Sequence, residues 1–282
     1  MAAIDLLVEI VKVVLGKRKP GRFKSANIYK IACCILYKLK TGVGWKSLKC
    51  LSMCTMSWNC VYRRFALWRD RGVFLVFWKT ILEIYINAGN YISWSNLITD
   101  TTKTKSYGGI DCVGKNPTDR GRNGTKISAI VDKKGIPISI HTAPANIHDS
   151  QLVEETFEKC IVPLSTDKRW AKRMNADAAY DSKNVRSIAK KYGYEMVTVK
   201  NFRRTKNHKK KSRGRKYIQV GDNKPFIPRK GSLTDKIRWR VEAFFGWMDM
   251  YYQLTFRRAR LIRSFDAFIH IFCGVMILKR CC

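Results

Sequence analysis

The sequence predicts an α/β protein with a mixed β-sheet flanked by helices, preceded by an all-helical region. Two patterns predict this. Apolar residues recur at helical intervals up to about residue 90, and beyond it they fall in short β-rich runs that alternate with helical segments. A strongly basic stretch at about 201–231 interrupts the second pattern. We therefore expect a helical region at 1–90 and an α/β domain at 91–282 that contains a basic insert.

The net charge is the first guide to function. The chain has 282 residues, with 55 Lys and Arg against 21 Asp and Glu, and a formal net charge of +34. Its hydrophobic content of 46% is enough to form a core, which excludes disorder of the whole chain. So large a positive excess indicates a polyanionic partner. We expect double-stranded DNA, with an anionic membrane surface as the alternative.

Neither a membrane span nor a disulfide framework is predicted. The apolar run 267–278 is too short to cross a bilayer, and the apolar N-terminus lacks the basic segment of a signal peptide. The ten Cys include no Cys-x-x-Cys pair, so we expect reduced thiols in a cytoplasmic, nucleoid-associated protein. Cys50, Cys54 and Cys60 offer a zinc alternative, but no His or fourth Cys lies at ligand spacing nearby.

The helical region has the layout of a helix-turn-helix DNA binder. Helices are expected at Ser25–Thr41, Met56–Trp68 and Gly72–Ile86. Gly42 follows the first of them, where a helix would stop. The second carries Arg63 and Arg64, which we expect to contact DNA. A small helical bundle without DNA contacts would show the same pattern.

The order of elements after residue 95 predicts the topology of the sheet. In chain order we expect a strand, a hairpin, a helix, a strand, a helix, a strand, the basic insert and a long helix. Their positions are Ser95–Asp100, Lys126–Val131 with Ile136–Thr142, Ser150–Lys159, Arg173–Asp177, Ser182–Tyr192, Glu195–Lys200, 201–231 and the segment from Leu233. This is the order of an RNase H-like domain, whose central sheet brings the ends of the first and fourth strands side by side.

Three acidic residues stand out in so basic a chain. Asp100 and Asp177 are each expected to end a strand, and Glu242 lies among apolar residues of the long helix. Only the fold can bring them together, since they are far apart in sequence. Three carboxylates there would form an all-oxygen site for Mg²⁺ or Mn²⁺, and two such ions about 3.5–4 Å apart can cut a phosphodiester. The remaining acids have structural explanations, and Asp149 and Asp181 are expected to cap helices.

Basic residues outside the helical region are further expected DNA contacts. The stretch Asn201–Lys216 holds nine Lys or Arg and no acid, and so is expected to clamp DNA electrostatically or, alternatively, only to keep the protein soluble. The residues expected to contact DNA there are Arg203, Arg204, Lys209, Lys210 and Lys211. Lys126, on the hairpin, is expected to contact DNA as well.

Several sequence blocks resemble the insertion-sequence-five branch of bacterial DDE transposases. They cover nearly the whole chain in the family's order: 39–48 (LKTGVGWKSL), 62–72 (YRRFALWRDRG), 98–102 (ITDTT), 124–135 (GTKISAIVDKKG), 145–151 (ANIHDSQ), 176–182 (ADAAYDS) and 238–247 (RWRVEAFFGW). The resemblance implies that Asp100, Asp177 and Glu242 are the DDE triad. It also implies that the helical region helps bind terminal inverted repeats, and that the freed 3′ ends are joined to target DNA.

The block around the third acid matches the family only in part. Arg238 stands four residues before Glu242, as in the family's Arg-x-x-x-Glu, and is expected to contact DNA phosphate or to form a plain helix ion pair. Asp235 and Asp249 occupy positions where related groups often have Tyr and Lys. The alternatives to a transposase are a nuclease without strand transfer and a non-catalytic DNA-binding protein. A homodimer on DNA is a further expectation.

Overall fold

The computed structural model describes residues 3–16, 27–50, 56–165, 171–198, 208–209, 218–219 and 233–281. Its α-helices are α1 (Ala3–Leu15), α2 (Ile28–Thr41), α3 (Trp58–Asp70), α4 (Val73–Asn87), α5 (Val153–Glu158), α6 (Lys183–Lys191), α7 (Leu233–Asp249), α8 (Tyr252–Thr255) and α9 (Ile262–Cys281). A short 3₁₀ helix at Trp45–Cys50 links α2 to the segment before α3.

The main sheet is mixed. Its strands are β1 (Asn96–Ser106), β2 (Gly114–Asn116), β3 (Arg122–Asp132), β4 (Pro137–Pro144), β5 (Arg173–Ala176), β6 (Glu195–Thr198) and β9 (Phe256–Arg257). The order is β2-β3-β1-β5-β6, with β4 also paired to β3 and β9 to β1. A separate two-stranded pair consists of β7 (His208–Lys209) and β8 (Ile218–Gln219).

The predicted hairpin is confirmed. Strands β3 and β4 pair antiparallel from Thr125 opposite Pro144 onward, and the chain reverses through a turn that ends at Gly135. Gly135 has a φ of 78°, a backbone conformation that glycine adopts without the steric cost of a side chain. The Asp132 carboxylate accepts the backbone N–H groups of Lys134 and Ile136, so it stabilises this turn.

The first strand is longer than predicted, and Asp100 lies within it. Strand β1 continues to Ser106, and its antiparallel pairing with β3 runs on from Thr101 opposite Ser128 to Lys105 opposite Gly124. The expectation that Asp100 ends the strand is therefore wrong. The polar segment after it is rich in β-branched Thr, which fits a half-buried pleated surface, and its partner strand is long enough to pair with all of it.

The predicted neighbourhood of the first and fourth expected strands is confirmed. Strands β1 and β5 pair in parallel, with Asn96–Ile98 alongside Arg173–Asn175. Strand β6 then adds to β5 in parallel; α5 leads from β4 to β5, and α6 connects β5 to β6. Parallel neighbours end at the same edge of a sheet, so the residues that follow the paired segments of β1 and β5 lie close together.

The N-terminal helices form as expected and pack on the C-terminal helix. Asn27 caps α2 by accepting the N–H of Lys30, and Gly42 ends it with a φ of 67°. Helix α9 packs along α4, and a Cβ on Gly274 would lie 2.7 Å from the Phe77 ring, so glycine allows this close approach. One continuous hydrophobic core therefore includes α1–α4, the sheet and α9. The division at about residue 90 stays a prediction.

The structure describes several cysteines and no membrane-spanning helix in the ranges given above. Cys33, Cys34, Cys60, Cys112, Cys160 and Cys273 are present there as thiols. Cys54, one of the zinc alternatives, lies outside the described residues. None of the helices within those ranges has the length and apolar character that a membrane crossing requires.

Most of the predicted basic insert lies outside the described residues. This holds for Arg203, Arg204, Lys210 and Lys211. Lys209 belongs to β7, where it is paired with Ile218 of β8. Residues 17–24, of which five are Lys or Arg, are likewise outside the described residues.

Candidate active site

Asp100 lies in the middle of β1, at the point where the parallel pairing with β5 has ended. Its Oδ1 accepts the backbone N–H of Thr101 at 2.8 Å. Burial raises the pKa of Asp100 to about 6; the Thr101 N–H and Arg238 oppose this shift, and the charges of Asp177 and Asp149 add to it. A carboxyl with nearby acids and a partly buried position is typical of a functional site.

Asp177 follows β5 directly and stands at the same edge of the sheet. Its Oδ1 accepts the backbone N–H of Ala178 at 2.7 Å, so the side chain is held at the start of a short 3₁₀ turn, Ala178–Tyr180. Its side chain is 51% exposed. The predicted position of Asp177 at the end of a strand is confirmed.

Arg238 joins the acids of two elements. Its Nη1 donates to Asp177 Oδ1 at 3.1 Å, and its Nη2 donates to Glu242 Oε1 at 2.9 Å, one turn along α7. Burial lowers the pKa of Arg238, but the charges of Asp177, Asp100 and Glu242 outweigh this and raise it overall. The guanidinium thus contacts Asp177 and Glu242 directly, and Asp100 is near enough for its charge to affect the pKa of Arg238. The predicted ion pair within the helix is present, and the second pair to Asp177 is new.

Asp149 was not among the predicted site residues, yet it lies beside Asp100. Its Oδ1 accepts the hydroxyl of Thr101 at 2.8 Å and the ammonium of Lys126 at 2.6 Å. The expected capping role of Asp149 is wrong, since the ring of His148 accepts the N–H of Ser150 instead. The contact between Asp149 and Thr101 could not be predicted from sequence spacing, because it forms only after the β3–β4 hairpin has brought the chain back alongside β1.

Lys126 faces inward. Its side chain is 3% exposed and donates to Asp149 and to the carbonyl of Ile147. Burial raises the pKa of Asp149, but its hydrogen bonds from Lys126 and Thr101 outweigh this and lower it overall. The ammonium is therefore committed to the protein interior, and the predicted DNA contact by Lys126 is not supported. The sequence did not predict this burial. Alternate residues of a strand point to opposite faces of the sheet, and the pattern did not show on which face Lys126 lies.

Arg63 and Arg64 lie on α3, away from the elements that carry the acids. Arg63 is exposed and Arg64 is half-buried. Helix α3 buries Val61, Phe65 and Trp68 against the core, so Arg63 lies on the opposite face, whereas Arg64 borders the buried face.

Comparison with known proteins identifies the family. A family model described as "Transposase DDE domain" matches residues 97–278, which is well over half of the chain. The chain belongs to this family of DDE transposases. A second model, for transposases of the IS4/5 family, matches residues 5–78. The predicted resemblance to insertion-sequence DDE transposases is therefore confirmed.

Relatives of this DDE transposase include two insertion-sequence proteins. One is described as a transposase for insertion sequence element IS402 of Burkholderia cepacia, and is 27% identical over 164 residues, which is 57% of this chain and 65% of that relative. The other, for element IS6501 of Brucella ovis, is 23% identical over 155 residues, which is 55% of this chain and 98% of that relative. The chain thus spans slightly less than two thirds of the first relative's length.

The DDE transposase also shares its fold with a solved structure. The piggyBac transposase, in a synaptic complex with hairpin DNA, matches with a TM-score of 0.51 at 13% identity, covering 99% of this chain and 72% of that one. At this identity the likeness concerns the fold alone. It agrees with the RNase H-like α/β arrangement of strands and helices that the sequence predicted.

The donor set of the DDE transposase suits a divalent cation. Carboxylate oxygens are the ligands that Mg²⁺ and Mn²⁺ prefer, and oxygens of Asp177 and Glu242 already converge on a shared cationic group, the Arg238 guanidinium. Within the described ranges, no three His, Cys, Asp or Glu side chains are grouped closely enough to hold one metal ion. The ligand type therefore suits a metal ion, whereas the described arrangement has Asp177 and Glu242 paired with Arg238.

Proposed function

We propose that this transposase cuts DNA at the terminal inverted repeats of its own element and joins the freed 3′ ends to target DNA. In this proposal Asp100, Asp177 and Glu242 hold Mg²⁺ or Mn²⁺. One observation carries the proposal: a single guanidinium, that of Arg238, pairs with the acid after β5 and with the acid on α7, and the charge of Asp100 on β1 raises its pKa as well. Metal-dependent cleavage of a phosphodiester requires several carboxylates near one another. An acid that only stabilises the fold of a cationic protein does not require other acids nearby.

The roles of the side chains follow from their contacts. Bound divalent ions would activate the attacking oxygen, water in the first step and a 3′ hydroxyl in the second, and stabilise the leaving 3′ oxygen. Asp100 is held by the Thr101 N–H on a paired strand, and so offers a rigid ligand. Arg238, once displaced from Asp177, would lie within reach of the phosphate next to the scissile bond and neutralise its charge.

DNA is the proposed partner along most of the surface. The net charge of +34 supports binding through phosphates, which releases counterions and needs no sequence readout. Arg63 and Arg64 on α3, and the insert at 201–231, are proposed contacts to the inverted repeats or the target. We propose that two copies act together, one on each end of the element, in the cytoplasm at the nucleoid.

The test is a cleavage and joining assay with the full chain, inverted-repeat DNA and Mg²⁺. We expect nicked and joined products from the wild type, and loss of both by at least about a thousand-fold in Asp100→Asn, Asp177→Asn and Glu242→Gln, since each substitution removes a charged ligand. Glu155→Gln, at an exposed position on α5, is the matched control and should keep full activity. Full activity in any of the three site variants contradicts the proposed site.

The same assay separates the two alternative functions. Cleavage without any joined product would indicate a nuclease that only hydrolyses. DNA binding without metal-dependent nicking would indicate a non-catalytic DNA-binding protein.

A further inference from the structure

A second concave site lies between the N-terminal helices and the segment that enters α9. It is a cavity of about 330 Å³, at the small end of the range of roughly 300–1,000 Å³ that small-molecule sites occupy. Its walls come from α2, the 3₁₀ helix, α3, α8 and residues 258–268. None of the acids that form the candidate active site lines it.

Aromatic side chains form one wall of this cavity. The ring of Trp45 lies 5.4 Å from that of Tyr62, edge to face, and 5.1 Å from that of Phe65. Trp58 completes the wall and, like Trp45, is only half-buried, while Tyr62 is exposed. The exposed part of the Tyr62 ring and the accessible parts of the two indoles therefore lie where a flat ligand could contact them.

The polar groups of the cavity are cationic or neutral. Lys38 lies inside, 5% exposed, where its Nζ donates to the carbonyl of Val43 at 2.6 Å and lies 4.8 Å from the centre of the Trp45 ring. Arg258 and Arg260 are exposed at the rim. No Asp or Glu is found among the lining residues that the structure describes, so this lining favours an anionic ligand.

Gln253 supplies the one buried amide of the lining. Its residue exposure is 2%, and its Oε1 is buried with no hydrogen-bond partner in the described part of the chain. A buried acceptor without a partner costs about 1–3 kcal/mol, so a ligand N–H that pairs with it would recover much of this cost. Every nucleobase carries such a donor on its Watson–Crick edge.

We propose that this cavity holds one unstacked nucleobase of bound DNA. This rests on the proposed function, since it assumes that DNA is the partner. The base stacks on Trp45 or Tyr62 and donates to Gln253, while its phosphate is bound by Arg258 and Arg260. Stacking on an aromatic ring tolerates any base, and a base already unpaired costs least to accommodate.

The cavity is rigidly connected to the candidate active site. Strand β9, just before Arg258, pairs with Lys105–Ser106 at the end of the strand that carries Asp100. The Thr104 hydroxyl donates to the carbonyl of Leu254, next to Gln253. A base held here would therefore fix the register of the DNA relative to the acids.

The test uses a DNA hairpin with one unpaired 2-aminopurine, the same hairpin with an abasic site at that position, and the fully paired hairpin. For the wild type we expect about ten-fold tighter binding of the hairpin with the unpaired base than of the abasic one, and quenching of 2-aminopurine fluorescence through stacking. Gln253→Leu and Tyr62→Leu should each reduce that ratio to about three-fold or less. Circular dichroism and thermal unfolding verify that both variants fold.

Tyr252→Leu is the matched control, since Tyr252 is exposed and adjacent to Gln253 but does not line the cavity. It should keep the ten-fold ratio. Equal binding of the base and abasic hairpins, or unchanged fluorescence, overturns the cavity proposal, and so does an equal loss in Tyr252→Leu. The affinity for the fully paired hairpin tests the DNA partner independently. If the protein binds that hairpin but does not distinguish the base from the abasic site, DNA remains the partner and only the cavity proposal fails.

Discussion

Arg238 forms an ion pair with Asp177 that joins helix α7 to the end of strand β5, with Nη1 3.1 Å from Oδ1. The same guanidinium binds Glu242 at 2.9 Å. The Nε of Arg238 is buried without a hydrogen-bond partner in the described ranges. The ion pairs with the two carboxylates are therefore the main interactions that offset the desolvation cost of this guanidinium. If these carboxylates hold a metal ion, as proposed above, Arg238 competes with that ion for the same oxygens.

This competition predicts that Arg238→Gln binds Mn²⁺ more tightly than the wild type in the absence of DNA. We expect an increase of about ten-fold, which corresponds to about 1.4 kcal/mol. Electron paramagnetic resonance of free Mn²⁺ measures the affinity without any activity. Arg240→Gln is the control, because that guanidinium stacks on Trp239 and is not paired with the acids. Equal or weaker Mn²⁺ binding by Arg238→Gln would contradict the competition.

Burial of Lys126 predicts a large stability effect. Lys126→Met leaves the Asp149 carboxylate without its ammonium partner, and breaking a buried pair costs about 3–5 kcal/mol. We expect the lower end of this range, since Asp149 is 28% exposed. Lys105→Met is the control: its bond to Asp119 is longer, at 3.6 Å, and more exposed, so its loss should cost less than about 1 kcal/mol. Urea unfolding measures both, and equal losses would refute the buried role of Lys126.

Asp266 predicts a pH dependence of stability. Burial raises its pKa from 3.8 to about 6, against the opposing effects of the Thr142 hydroxyl and nearby cations. Between about pH 4 and pH 6 the folded protein therefore binds more protons than the unfolded chain, so the free energy of unfolding falls as the pH rises through this window. Asp266→Asn removes this contribution, and should be more stable than the wild type above pH 6 by up to about 3 kcal/mol.

The measurement is thermal or urea unfolding of the variant and the wild type from about pH 2 to pH 8, read as a difference so that other titrating groups cancel. Asp70→Asn supplies a control of opposite sign, because the hydrogen bond from Arg69 lowers the pKa of Asp70. Its stabilising effect is present at neutral pH and is lost as the pH falls below its ordinary value. If the difference in the free energy of unfolding between Asp266→Asn and the wild type did not change with pH, the carboxyl of Asp266 would not be buried in solution.

The helical region predicts a salt effect on DNA binding. If Arg63 and Arg64 each neutralise one phosphate, replacing either by Gln lowers the slope of log affinity against log salt by about 0.9. Fluorescence anisotropy with duplex DNA at several salt concentrations gives this slope. Lys191→Gln is the control, since Lys191 already pairs with Glu154 at 2.7 Å on the surface of the other part of the molecule. A slope unchanged by both substitutions places α3 away from the DNA.

Some features of this fold depend only on residues that are close together in the sequence. The hairpin, the helices and the position of Asp177 after a strand were all predictable, because hydrophobic periodicity and turn residues are properties of neighbouring positions. The extension of β1 beyond Asp100 was not, since a polar Thr-rich segment becomes a strand only where a partner pairs with it. Asp149 resembled a helix cap for the same reason: its real partners are 23 and 48 residues away in the chain.

Sequence alone predicted the α/β order and the family, which are confirmed, and the three acids, which stay a prediction. Such patterns of residue type and spacing can be recognised without knowing how the side chains pack. The tertiary structure decided that one arginine holds two of those acids, that Lys126 turns inward onto Asp149, and that aromatic and cationic residues from both ends of the chain enclose a cavity. The reason is geometric. Side chains distant in sequence meet only through strand register and helix packing, and these depend on the core as a whole.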